Sequence, residues 1–126
     1  MRDLDINIQN LVLQQTVADH VEIHGTGLHS GAETILRIHP AKIDNGIVFV
    51  RKDVSDRNNL IPALWDRVVD TQLCTVIGNK DGVTVGTIEH IMAALNALGI
   101  SNAMIELDGP EVPIMDGSSR PFIEAI

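Results

Sequence analysis

Short apolar runs rich in β-branched residues recur along most of the chain, and turn-forming residues separate them. Such runs are typical of β-strands, whose side chains alternate between two faces. Residues 60–69 hold a further apolar run, which we interpret as extended because Pro62 would interrupt a helix. Residues 78–82 have turn chemistry and predict a hairpin between the strands on either side. The predicted strands are 17–23, 34–39, 47–50, 73–77, 83–85 and 103–107.

One segment has the periodicity of an amphipathic helix. Thr87 can serve as its N-cap, and Gly99 is a natural residue just beyond its end, so the sequence predicts a helix over residues 88–98. The apolar residues recur at the three- and four-residue spacing that forms one helical face. We expect this face to pack on the sheet through Ile91, Leu95 and Leu98.

A second, shorter helix is predicted at the end of the chain. Ser118 or Ser119 can cap it, and Pro121 falls in its first turn. A helix of about two turns is marginal by itself, so we expect that the polypeptide is cut here or that a partner supplies the missing packing. We expect an exposed apolar face that docks a partner or mediates self-association. The alternative is that residues 120–126 fray. The residues expected on this face are Met92, Phe122, Ile123 and Ile126.

Together these elements predict an α+β fold in which a small, mostly antiparallel sheet is layered against helices. The length of 126 residues is that of one domain, and 44% hydrophobic residues are enough for a core. Aromatic residues make up only 2% of the chain, so the core must be aliphatic. Residues 1–15 are predicted to be an N-terminal extension, and residues 16–126 the domain.

The charge and the cysteine content exclude several classes of function. The net charge is -8 and the nine Lys and Arg residues are scattered, so a nucleic-acid-binding surface is not expected. The single Cys74 cannot form an internal disulfide or a multi-thiolate zinc site, which fits a reducing compartment. No apolar run has the length of a transmembrane segment, and the N-terminus is too polar for a signal peptide. We expect a cytoplasmic protein, and peripheral contact with a membrane stays open.

Three short motifs can carry chemistry, although each also has an ordinary structural explanation. Glu89 and His90, in the first turn of the predicted helix, could bind a metal and activate water, or could be polar helix surface. The glycine-rich segment 25–31, which contains His29, could be catalytic or could be an irregular hairpin. Cys74 has no neighbouring histidine base, and a lone cysteine in an apolar strand is usually buried packing. The residues alone therefore indicate an acidic α+β domain with a candidate metal-linked Glu-His pair.

Four motifs, taken in order, resemble those of a known family, the UDP-3-O-acyl-N-acetylglucosamine deacetylases of lipid A biosynthesis in Gram-negative bacteria. The resemblance runs from Thr16 to Ile126 and is to the N-terminal half of these enzymes. It implies one of two similar α+β domains, with the active site between them. The motifs are Gly27-Leu28-His29-Ser30-Gly31, Asp70-Thr71-Gln72-Leu73-Cys74-Thr75, Thr87-Ile88-Glu89-His90 and Pro113-Ile114-Met115-Asp116-Gly117-Ser118.

The resemblance also implies roles for individual residues and a Zn²⁺ cofactor. His90 matches the one zinc ligand that the N-terminal half contributes, and Glu89 matches the general base. His29 matches a histidine at the edge of the site, and Leu73 and Cys74 match positions near the metal and the passage for the acyl chain of the UDP-sugar substrate. The other zinc ligands and the histidine that protonates the leaving amine belong to the second half. The active site carried by this chain is therefore expected to be incomplete.

Two hypotheses follow from the resemblance. In the first, the chain is the N-terminal half of a zinc-dependent deacetylase and is inactive until a C-terminal half or a second chain completes it. In the alternative, it is a stand-alone, catalytically inactive homologue that acts as a binding or regulatory module. Retention of both Glu89 and His90 favours the first hypothesis, since a binding module does not need them.

Overall fold

Residues 13–126 are described by a computed structural model, and along them eight strands, two helices and one 3₁₀ turn follow one another. The predicted N-terminal extension falls largely on residues 1–12, outside the described part of the chain, and its boundary stays a prediction. Within residues 13–126, no helix is long and apolar enough to cross a membrane. The strands are β1 (Val21–Thr26), β2 (Glu33–Pro40), β3 (Ile47–Arg51), β4 (Leu60–Pro62), β5 (Val68–Asp70), β6 (Val76–Gly78), β7 (Thr84–Gly86) and β8 (Ala103–Leu107). The helices are α1 (Glu89–Ala97) and α2 (Arg120–Ala125), and the 3₁₀ turn is Trp65–Arg67.

The larger sheet has five strands in the order β1-β2-β8-β3-β4. Neighbouring strands are antiparallel except β8 and β3, which are parallel. Ile105 of β8 lies opposite Ile38 of β2 on one side and Phe49 of β3 on the other, and all three side chains are fully buried. A row of apolar side chains thus crosses the middle of the sheet on the side that faces the core. The predicted α+β fold with a mostly antiparallel sheet is confirmed.

A second, smaller sheet contains β5, β6 and β7, all antiparallel. The predicted hairpin is confirmed, because β6 and β7 pair across a turn that the backbone bond from Asn79 N–H to the Val83 carbonyl closes at 3.0 Å. Ile77 of β6 and Val85 of β7 are buried in the same core as the larger sheet. The two sheets therefore share one hydrophobic core.

The predicted strand over 73–77 is wrong for its first residues, because β6 begins only at Val76. Just upstream, the carboxylate of Asp70 accepts a hydrogen bond from the backbone N–H of Gln72 at 3.0 Å. Such a side-chain bond to the backbone two residues on offers the chain a turn in place of a strand ladder. Residues 72–74 consequently form a bend that leaves the sheet.

Helix α1 confirms the predicted helix, with one error in its packing. Ile91 and Leu95 are buried in the core, as expected. The prediction that Leu98 packs on the sheet is wrong: this side chain is 37% exposed, because α1 ends at Ala97 and Leu98 is its C-cap. Gly99 follows with a φ of +71°, the left-handed conformation expected just beyond a helix.

The C-terminal helix α2 does not form the exposed apolar face predicted from the sequence. Phe122 is fully buried, and Met92 and Ile126 pack against the core. Of the four predicted residues, only Ile123 is substantially exposed, at 38%. Contacts of α2 with α1 and β1 hold this short helix in place. Tertiary packing within the chain thus stabilises a helix whose length alone would be marginal.

Candidate functional site

A cavity of about 260 Å³ lies beside the smaller sheet and is lined by three of the residues singled out in the sequence. These are His29, from the loop after β1, and Leu73 and Cys74, from the bend before β6. Leu73 is 82% exposed and Cys74 is half-buried, so this wall of the cavity is apolar and open to solvent. Folding thus brings together residues that are far apart along the chain.

The loop that carries His29 needs glycine at a specific place. A Cβ atom added to Gly27 would lie 2.3 Å from Oγ of Ser30 and 2.4 Å from Oε1 of Glu111, which is closer than real atoms approach. The Gly27 backbone also closes the loop, donating its N–H to the Ala32 carbonyl at 2.9 Å. The glycine-rich motif therefore lets the loop approach a carboxylate at close range.

That carboxylate, Glu111, is the main polar residue of the site that sequence analysis missed. It is only 4% exposed and accepts hydrogen bonds from the backbone N–H groups of His29 (3.1 Å) and Ser30 (3.0 Å) and from the Ser30 hydroxyl (3.1 Å). Burial raises the pKa of Glu111, but these hydrogen bonds and one from Thr87 outweigh it, so its pKa lies below the ordinary glutamate value. The available signal was a lone acid in the otherwise apolar stretch 110–115.

Thr87 is the fourth donor to Glu111, and its predicted role as a helix cap is wrong. Its hydroxyl donates to Oε2 of Glu111 at 2.6 Å, across 24 residues of sequence. The N-cap position of α1 is held by Ile88, and no side chain caps the helix there. A buried carboxylate is a stronger acceptor for this hydroxyl, and the partner lies outside the local sequence from which caps are predicted.

Glu89 and His90 are the first two residues of α1, and neither of them lines the cavity. The backbone N–H of Thr75, directly after Cys74, donates to Oε1 of Glu89, which ties the helix start to the bend at 72–74. His90 is half-buried, does not line the cavity and makes no side-chain hydrogen bond to another described residue. The structure therefore joins Glu89 to the segment that holds Leu73 and Cys74, and it leaves the imidazole of His90 without a protein partner within residues 13–126.

The described residues do not form a complete metal site by themselves. Within the described residues, no three His, Cys, Asp or Glu side chains converge in a way that could hold a metal ion. A catalytic zinc site has three protein ligands as a rule. His90 has the chemistry of one of them, since a neutral imidazole is a common zinc ligand.

Comparison with known proteins identifies the family to which the chain belongs, a family of deacetylases. A sequence model of the family described as UDP-3-O-acyl N-acetylglycosamine deacetylase matches residues 14–126, and the chain belongs to that family. The resemblance seen in the four motifs is confirmed.

Among the curated relatives that carry the name UDP-3-O-acyl-N-acetylglucosamine deacetylase are proteins from Phenylobacterium zucineum and Myxococcus xanthus. The chain is 52% identical over 115 residues to the protein from Phenylobacterium zucineum. This aligned segment covers 91% of the chain and 39% of the relative. The chain is 55% identical over 113 residues to the protein from Myxococcus xanthus, and that segment covers 90% of the chain and 35% of the relative. The chain thus spans little more than a third of the length of these relatives.

Proposed function

We propose that this chain supplies the N-terminal part of a zinc-dependent deacetylase that hydrolyses the N-acetyl group of UDP-3-O-acyl-N-acetylglucosamine in lipid A biosynthesis. Family membership supports the reaction class. The observation that carries the assignment to these residues is the shared cavity of His29, Leu73 and Cys74, with Glu89 bonded to the next residue of the same bend. The nucleotide part of this substrate is polar and its acyl chain is apolar. The proposed location of the enzyme is therefore the cytoplasm, with peripheral contact at the inner membrane.

Glu89 is the general base in this proposal. The N–H of Thr75 fixes Oε1, and Oε2 accepts no hydrogen bond from a described residue. The carboxylate is therefore oriented by one oxygen and available through the other. Oε2 takes the proton of the water that attacks the amide carbonyl, the step that a positioned carboxylate performs in amide hydrolysis.

His90 holds one coordination position of the zinc ion in this proposal. When bound, zinc lowers the pKa of water to about 7 and polarises an amide carbonyl. The set of ligands is completed by polypeptide outside the described residues, because no three candidate ligands converge within them. The site in this chain is accordingly inactive alone.

The cavity holds only part of the substrate. Its volume of about 260 Å³ lies below the roughly 300–1,000 Å³ of ordinary ligand pockets. In this proposal Leu73 and Cys74 offer apolar surface to the acyl chain, and His29 contacts the polar part of the substrate. The rest of the substrate is bound by the completing region of the enzyme.

The test compares the chain alone with a hybrid that completes it. The hybrid joins this chain to the region of the Myxococcus xanthus relative that lies outside the matched segment. Both are incubated with UDP-3-O-acyl-N-acetylglucosamine, and the release of acetate is measured with and without a zinc chelator. We expect no turnover by the chain alone and chelator-sensitive turnover by the hybrid. A folded hybrid that binds the substrate without turning it over would favour the alternative, a binding or regulatory module.

Two substitutions in the hybrid separate the proposed roles of Glu89 and His90. Glu89→Gln lowers kcat by at least about 100-fold, the scale of a positioned base, and leaves the zinc content unchanged. His90→Ala loses both zinc and activity. The matched control is His24→Ala, which removes an exposed imidazole that is paired with Glu22 on β1. Loss of zinc in Glu89→Gln would contradict the role assigned to Glu89.

A further inference from the structure

We infer that Glu111 is a positioning residue that fixes the His29 loop and the start of α1 relative to each other. Its relevance to catalysis rests on the proposed function, whereas the coupling itself is a property of this chain. Glu111 makes no hydrogen bond to Glu89 or His90, so it acts through the residues it holds.

The two oxygens of Glu111 are divided between two elements. Oε1 accepts from the N–H and the hydroxyl of Ser30, at 3.0 and 3.1 Å, and Oε2 accepts from the hydroxyl of Thr87 at 2.6 Å. The N–H of His29 lies 3.1 Å from each oxygen. One carboxylate thus bridges the loop after β1 and the connection between β7 and α1. The buried charge requires several donors, and these four groups supply them.

Thr87 makes the helix start depend on this bridge. Its φ is +59°, a conformation that a β-branched residue rarely adopts and that persists only where the surroundings enforce it. Backbone bonds to segment 110–112 hold the preceding residue, since Gly86 donates to the Pro110 carbonyl at 2.9 Å and accepts from Val112 at 3.0 Å. The hydroxyl bond of Thr87 to Glu111 of the same segment adds a side-chain restraint. Thr87 precedes Glu89 by two residues, so its conformation sets the direction in which α1 leaves the sheet.

The coupling is tested in the 126-residue chain itself by ¹H–¹⁵N NMR. Glu111→Gln keeps the shape of the side chain but turns one acceptor into an NH₂ donor, which cannot serve the donors around it. We expect the amide signals of His29 and Ser30 to shift, and those of Glu89 and His90 to shift as well. In the parent chain, the first two signals should titrate with Glu111 below the pH range of an ordinary glutamate. Glu111→Gln should abolish that titration, which would show that it belongs to Glu111.

A pair of Thr87 variants distinguishes loss of the hydrogen bond to Glu111 from a general loss of folding. Thr87→Val replaces the hydroxyl with a methyl group and keeps the β-branched shape, whereas Thr87→Ser keeps the hydroxyl. Thr87→Val should move the signals of Glu89 and His90, and Thr87→Ser should restore them. The control is Glu106→Gln, which changes a carboxylate that bonds Arg37 and His39 on the larger sheet. This substitution should leave the signals of Glu89 and His90 in place. Unchanged Glu89 and His90 signals in both Glu111→Gln and Thr87→Val would overturn the inference.

The same variants in the active hybrid test the link to catalysis. Misplacement of a catalytic group by about 1 Å costs about 100-fold in rate, so Glu111→Gln and Thr87→Val should lower kcat by about 10- to 100-fold. KM and zinc content should change little, and Thr87→Ser should recover most of kcat. An unchanged kcat in an active hybrid would overturn the positioning role. A parent hybrid without any deacetylation would instead refute the proposed function and leave the NMR result to decide on the coupling.

Discussion

At the scale of single residues, two buried or half-buried carboxylates are stabilised in different ways. Glu106 lies close to two cations, Arg37 at 3.0 Å and Lys52 at 3.7 Å, and to the ring of His39 at 3.3 Å. Glu111 accepts hydrogen bonds from hydroxyl and backbone N–H groups among the described residues. Burial opposes ionisation in both cases, and the donors outweigh it, so both carboxyl pKa values lie below the ordinary value of 4.5. Ionisation of these carboxyl groups is therefore favoured in the folded state.

The first prediction concerns the pH dependence of stability through Glu106. Burial raises the pKa of Glu106, but the hydrogen bonds with Arg37 and His39 lower it by more, so the net shift is downward. A carboxyl whose pKa is lower in the folded state stabilises the protein above its unfolded pKa and loses that effect as the pH falls through the folded value. Glu106→Gln should thus lower the free energy of unfolding at pH 7 by about 1–2 kcal/mol. The loss should shrink steadily below the ordinary glutamate pKa.

Urea denaturation at pH 7, 5 and 3 measures this effect. The matched control is Glu124→Gln, which removes an exposed ion pair with Arg120 on α2 and should change stability by less than about 0.5 kcal/mol at every pH. An equal loss of stability for Glu106→Gln at pH 7 and pH 3 would show that packing, and not ionisation, accounts for the role of Glu106.

The residue scale is also where prediction from sequence reached its limit. Glu89, His90, His29, Leu73 and Cys74 were selected from short motifs, and the structure gathers three of them around one cavity. Their roles stay predictions. Glu111 was missed as the hydrogen-bond partner of Thr87 because the two residues are 24 positions apart. Rules for helix caps and turns consider only nearby residues.

At the scale of elements, alternation and turn residues predicted β2, β3 and β8 to within about two residues, because each of these strands has one face on the core. The bend at 72–74 was missed although one of its causes is local, the bond from the Gln72 N–H to the Asp70 carboxylate. The burial of Phe122 could not be predicted in this way, because it depends on the packing of α2 against the rest of the domain.

The second prediction tests the corrected packing of α1. Leu95 is 1% exposed and Leu98 is 37% exposed, although both belong to the same sequence periodicity. Leu95→Ala should lower the free energy of unfolding by about 2–5 kcal/mol, the range for a leucine removed from a core. Leu98→Ala, the same chemical change at the helix end, should cost less than about 1 kcal/mol. Chemical denaturation followed by far-UV circular dichroism distinguishes the two, and equal losses would contradict the helix end at Ala97.

At the scale of the whole molecule, the described residues share one hydrophobic core. Its members come from both sheets, from both helices and from the connecting segment that contains Val112. The candidate site lies where these parts meet, since the loop after β1, the bend before β6, the start of α1 and Glu111 all converge there. A change in one sheet should therefore be felt throughout the domain, and the geometry of the site should be lost together with the fold.

The last prediction follows from this shared core. Ile77 belongs to the smaller sheet and is 1% exposed, so Ile77→Ala should remove about 2–5 kcal/mol of stability. Because the core is continuous, we expect the denaturant midpoint of β8 in the larger sheet to fall by the same amount as that of β6, as in a two-state transition. Amide peak intensities along a urea titration measure both strands, and Val69→Ala, an exposed position of the smaller sheet, is the control. If β8 kept its original midpoint while β6 unfolded early, the two sheets would be independent folding units, and the coupling across the candidate site would have to be carried by Glu111 and its hydrogen bonds alone.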